Sequence, residues 1–154
     1  MNANKRELIE KELTFRVIGC AMAVLNELGH GLREKTYERA LCVELKHQGL
    51  AFQQQRTYPV FYCGEHIDDY IPDLEVENRL IVEAKTVDKI IDEHIGQTLN
   101  YLRITGFEAG VIFMHGERNV ISGNYMFSEK LSAWGVAERI ATGKRGQKAL
   151  KITI

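Results

Sequence analysis

Proline is nearly absent: two residues among 154, too few for a disordered or linker-rich chain. Cysteine is scarce as well. Cys20, Cys42 and Cys63 lie far apart and none belongs to a Cys-x-x-Cys pair, so the sequence signals neither a zinc site nor a disulfide framework. Reduced thiols in a cytoplasmic protein are the ordinary reading. Long apolar runs are missing. The longest, Val17 to Leu25, is too short to span a bilayer, so no membrane partner is expected. The first residues, "MNANKRELIEKELTF", lack the apolar stretch of a secretory leader. Net charge is −1, which excludes a strongly basic nucleic-acid binder by bulk charge. No aromatic-plus-basic stacking surface stands out, and there is no internal repeat or low-complexity segment.

What remains is one ordinary globular domain, 45% hydrophobic and 27% charged. Its charge is unevenly distributed. From Glu65 to Glu93 ten acids face three bases, a net of −7; after Ala137 five bases face one acid, a net of +4. An acidic centre suits a divalent cation and a basic tail suits a polyanion.

Apolar residues at Leu13, Val17, Ala21, Val24 and Leu28 predict a first helix stopped by Gly29. After "GHGLREK", Thr36 is the expected N-cap of a second helix running to Gly49. Three strands are expected next: Gln54 to Tyr62, a Cys63-Gly64 turn, Ile67 to Val76, and Leu80 to Lys85, as an antiparallel meander. Ile91, Ile95, Leu99 and Leu102 predict a helix over Asp88 to Thr105 with Gly106 as its stop. Ala109 to Met114 reads as a buried strand and Val120 to Tyr125 as another. Ser128 to Ala141 is expected to be a last helix, N-capped by Ser128, with Leu131, Trp134 and Ile140 as contacts; the remaining tail should pack loosely. This order implies a mixed sheet flanked by helices.

Charged residues inside the strand-like stretch "YIPDLEVENRLIVEAKTV" need an explanation, because buried charge is costly unless paired or metal-bound. Alternation puts Ile81, Glu83 and Lys85 on one face of their strand. Whether Asp73 joins them depends on the turn. A two-residue Asn78-Arg79 loop pairs Asp73 with Ala84 and sends it to the wrong face. A three-residue loop, Glu77 to Arg79, pairs Asp73 with Glu83, and this register is the one expected. It also sets Glu75 across from Ile81, which requires that end of the face to be open to water. Two converging carboxylates repel unless a proton or a divalent cation joins them. Mg²⁺ (or Mn²⁺) takes oxygen ligands, and a lysine beside it suits phosphodiester hydrolysis. On the following helix His94, Gln97 and Tyr101 form one polar stripe, with Gln97 and Tyr101 able to reach a phosphate or a water.

Pro72-Asp73 followed by Glu83-Ala84-Lys85 resembles the PD-(D/E)xK nuclease signature. Gln97-x-x-x-Tyr101 is similar to the Gln-x-x-x-Tyr motif of the exonuclease-like branch of that superfamily. More narrowly, Gly31, Glu34 and Tyr37 in "GLREKTY" match the pattern of the GxxExxY family, which also carries the helix pattern seen here as His94, Gln97, Asn100, Tyr101 and Leu102. The resemblance covers about Thr14 to Gly116, and "FMHG" at 113–116 departs from it. It implies a restriction-endonuclease-like αβββαβ core, with 122–154 as an extension. It implies Asp73, Glu83 and the Ala84 carbonyl as metal ligands and Lys85 as catalytic. Glu34 would be a further acidic ligand or a support, Tyr37 would pack against the site, and His94 would stand behind it. The expected function is a Mg²⁺-dependent nuclease acting on DNA or RNA. The alternatives are a catalytically silent nucleic-acid- or protein-binding regulatory subunit and, less favoured, a small-molecule hydrolase. The free end of the meander or the Trp134 helix offers surface for a homodimer.

Overall fold

The computed structural model describes residues 3–29, 31–86, 91–107, 109–114, 125–128, 136–139 and 150–153. The chain begins with helix α1, Ala3–Leu28. Leu13, Val17, Ile18, Ala21, Val24 and Leu25 are buried along it. Gly29 ends it in the left-handed conformation, φ 69°, and its N–H donates to the Leu25 carbonyl at 2.9 Å. Helix α2 is Glu34–His47. It starts two residues before Thr36, which lies within its first turn and donates its N–H to the Arg33 carbonyl. Glu34 in that turn complements the helix dipole.

The strands are β1, Phe52–Gln54; β2, Tyr58–Tyr62; β3, Glu65–Tyr70; β4, Leu74–Val76; and β5, Leu80–Lys85. Two expected long strands are therefore each broken in two. Gln55, at φ 47°, turns the chain out of the main sheet, and Pro72 has no N–H with which to continue a ladder. Among the described residues β2 and β3 pair only with each other, as a separate hairpin turning at Cys63-Gly64. β1, β4 and β5 are antiparallel neighbours in a seven-stranded sheet. The expected meander is thus a short antiparallel sheet with a hairpin inserted into it.

Helix α3, Asp92–Thr105, leads to β6, Ala109–Met114, which lies parallel to β5. Parallel neighbours need such a crossover. Ile91 is extended, so α3 begins at Asp92; 87–90 lie outside the described residues. Gly106 stops α3 at φ 72°. At β5 and β6 the sheet is buried on both faces. Leu80, Val82, Ala84, Ala109 and Val111 join α1 and α2 in one core, while Ile81, Gly110 and Ile112 lie on the face that α3 covers. α3 buries Thr98, Tyr101 and Leu102, a stripe rotated from the expected apolar one.

α3 approaches β6 closely at Gly110. A Cβ there would stand 2.8 Å from Thr98 Cγ2. Gly110→Ala is expected to cost roughly 1–3 kcal/mol in urea unfolding. Adding Thr98→Ser, which removes that methyl and keeps the hydroxyl's bond to the His94 carbonyl, should recover most of it.

The last helix is not formed as expected. Tyr125–Ser128 is β7 and Val136–Arg139 is β8, so Ser128 ends a strand and is no N-cap. Leu131, Trp134 and Ile140 lie outside the described residues, as does all of the expected 120–125 strand except Tyr125. Gly135 would have sat mid-helix, at a cost of about 1 kcal/mol, and the free edge of β6 offers a ladder instead. β7 takes that edge antiparallel. The tail expected to pack loosely contains β9, Leu150–Thr153, which pairs with both β7 and β8.

Candidate active site

The turn between β4 and β5 occupies Glu77 to Arg79, and Val76 faces Leu80. Glu77 and Asn78 both take left-handed φ, 53° and 51°, and Arg79 N–H closes the turn on the Val76 carbonyl at 3.1 Å. This is the three-residue register, and it carries Asp73 to Glu83. The ladder itself stops at Leu74 and Val82. One residue further on, side chains replace the backbone acceptors. Asp73 N–H donates to Glu83 Oε1 at 3.1 Å, and Ala84 N–H donates to Asp73 Oδ2 at 2.9 Å. This reciprocal pair fixes both carboxylates at the end of the strands. Lys85 Nζ stands 3.8 Å from Glu83 Oε2. Ala84 contributes backbone only, since its side chain lies in the α1–α2 core.

Glu83 is almost fully buried. Its carboxyl is pushed up to about 8, first by burial and then by the charge of Asp73, against the pull of Lys85. Burial also raises Asp73, opposed by the Ala84 N–H; Glu38 and Glu34 add negative charge around it. Two carboxylates held together out of water, with further acids nearby, form an oxygen donor set that favours a hard divalent cation. Among the described residues no group of three or more His, Cys, Asp or Glu is placed to hold a metal. An ion at Asp73 and Glu83 would complete its shell with the Ala84 carbonyl, waters and substrate oxygens, as Mg²⁺ commonly does.

Glu34 stays outside this pair. Its Oε2 accepts from Thr86 N at 3.1 Å and from Thr86 Oγ1 at 3.4 Å, tying the start of α2 to the end of β5. Tyr37 is buried; its hydroxyl donates to the Gly29 carbonyl at 2.6 Å and accepts from Leu32 N at 3.3 Å. It therefore holds the α1–α2 connection. His94 Nδ1 accepts from Ile91 N at 3.4 Å, capping α3. Gln97 Nε2 donates to Tyr101 Oη at 3.2 Å. Tyr101 loses its proton with difficulty, pushed up to about 12 by burial and then by Glu83 and Asp73. It links the carboxylates to the α3 stripe, and with His94 and Gln97 it lines an open pocket of about 580 Å³.

Two groups had no sequence signal, and for a third, Glu75, the expected exposure is overturned. Tyr70 lines the same pocket and packs edge to face on Tyr101, 5.5 Å between centroids. Buried Glu38 is held by Lys35 at 2.8 Å and by Gln54 at 3.1 Å. Glu75 does face Ile81, but that end of the face is closed to water. Its carboxylate accepts from Tyr58 and pairs with Arg56 at 3.3 Å, which anchors the β2–β3 hairpin to the main sheet.

A family model described as PD-(D/E)XK nuclease superfamily matches residues 11–122. Comparison with curated proteins and with solved structures gives no match.

Proposed function

The chain belongs to the PD-(D/E)XK nuclease superfamily, and on that premise we propose that it is a metal-dependent nuclease hydrolysing phosphodiester bonds in DNA or RNA. The reading is carried by one observation: Asp73 N–H donates to the Glu83 carboxylate and Ala84 N–H donates to the Asp73 carboxylate at the end of the β4–β5 ladder, with the Lys85 ammonium beside them. Asp73, Glu83 and the Ala84 carbonyl would hold Mg²⁺ or Mn²⁺. A bound ion supplies Lewis-acid activation of the phosphate and a more acidic attacking water. Lys85 orients that water and offsets the charge that grows on the phosphoryl oxygens. Water oxygen bonds to phosphorus and gives up a proton, the ester P–O bond breaks, and the leaving oxygen takes up a proton, so that one water is divided between the two products. Gln97 and Tyr101 present an amide and a hydroxyl for contact with the substrate nucleotide.

The finer placement in the GxxExxY family is part of the proposal. Its support is that the motif residues act together: Gly31 takes φ 96°, Glu34 ties to Thr86, and Tyr37 closes the loop. In this role Glu34 steadies the strand that carries the site.

A silent regulatory subunit with the same fold would not need to keep the carboxylate pair receptive to a cation. Calorimetric titration of Mn²⁺ should give saturable binding to the wild type and none to Glu83→Ala. Absence of binding in both, with the fold intact by circular dichroism, would favour the silent subunit.

A further inference from the structure

Charge gives this protein little with which to grip a nucleic acid, since the whole chain carries −1. Phosphate contacts normally dominate such binding. The open pocket on α3 offers a different kind of contact. Its described lining is Tyr70, Glu93, His94, Gly96, Gln97, Asn100 and Tyr101, with no lysine or arginine. Glu93 makes it hostile to phosphate. Two amides and an imidazole supply hydrogen-bonding groups, and two aromatic rings supply the walls. A volume of about 580 Å³ admits a planar heterocycle.

Tyr70 ends β3, three residues before Asp73 in the chain, and its neighbour Tyr101 lies within electrostatic reach of Glu83 and Asp73. Its ring is held by the edge-to-face contact with Tyr101, at 84° between planes. The strand beneath is held too. Tyr58 pairs with Tyr70 across the hairpin, and the Tyr58 hydroxyl is anchored on buried Glu75.

We propose that this pocket is a nucleobase subsite in which Tyr70 is the stacking surface, so that the substrate is presented as an unpaired nucleotide beside Asp73 and Glu83. The aromatic wall is part of the pocket, and a described lining that has Glu93 but no lysine or arginine favours a base over a phosphate. A duplex keeps its bases stacked inside and cannot fill such a pocket without extruding one. The proposal rests on the nuclease reading for what happens to the bound strand, while base binding itself requires no cleavage.

The test is equilibrium binding in EDTA, with single-stranded oligonucleotides carrying either 2-aminopurine or an abasic residue at one position. Wild type should bind the 2-aminopurine strand more tightly than the abasic strand and quench its fluorescence. Tyr70→Ala should weaken that binding roughly 5- to 150-fold, the range of one lost stacking contact, and Tyr70→Phe should restore it. Gly96→Leu is the second variant. A Cβ at Gly96 meets nothing within 4 Å, so the fold is retained while the side chain fills the pocket and weakens base binding. Equal affinity of wild type for both strands, or unchanged affinity in both Tyr70→Ala and Gly96→Leu, overturns the subsite. Mn²⁺-dependent cleavage with no preference for the base-bearing strand removes the subsite and leaves the nuclease standing. Base-dependent binding without cleavage does the reverse.

Discussion

Replacing Lys85 with alanine is expected to lower kcat for phosphodiester hydrolysis by roughly 10²- to 10⁴-fold, the usual yield of one positioned acid–base or electrostatic group. KM should change far less. The ammonium lies 3.8 Å from Glu83 Oε2, and its side chain is only 17% exposed. Charge placed there acts with little screening on a phosphoryl group held at the carboxylates. Lys85→Arg keeps the charge but has a planar fork of donors in place of a point charge, so it should recover only part of the rate. A variant losing mainly KM would mean that Lys85 binds substrate uniformly and does not act in the transition state.

Glu83→Gln is expected to abolish divalent-cation binding while making the metal-free protein more stable at neutral and alkaline pH. Glu83 ionises in the folded protein at about 8, against 4.5 for the ordinary group. A raised carboxyl contributes stability that is full below about pH 4.5 and is lost as pH rises through about 8. The isosteric amide has no such loss. Urea unfolding in EDTA should therefore show the variant level with wild type near pH 4.5 and ahead by roughly 1–4 kcal/mol at pH 8–9. Saturating Mn²⁺ should reverse the order, because a cation binds the ionised pair and stabilises only wild type. The same proton competes with the ion, so wild-type Mn²⁺ affinity should climb from pH 6 to about 8 and then level off. An affinity flat across that range would show that the carboxylates are already ionised without the metal.

The hairpin register was legible in the sequence because alternation leaves two choices and only one brings the carboxylates together. The stops at Gly29 and Gly106 and the parallel strand after α3 were legible for similar local reasons. Glu75 was not. Its partners, Arg56 and Tyr58, come from a hairpin that leaves the main sheet, and no local pattern announces that departure. Tyr70 was missed because its significance comes from Tyr101, which follows only after β4, β5 and most of α3. The C-terminal segment was misread for the opposite reason. Its helical spacing was real, but a Gly in its middle and an open edge on β6 favoured strands. Glu34 stood in the motif as a further ligand or a support, and only the fold reveals that one of its carboxylate oxygens accepts from Thr86.

The most direct test is incubation of wild type and Asp73→Asn with end-labelled single- and double-stranded DNA and RNA, each with Mn²⁺ or with EDTA. Cleavage of at least one substrate by wild type, only with Mn²⁺, and none by Asp73→Asn is the predicted result. Equal cleavage by both proteins, or none by wild type on any of the four substrates, would contradict it.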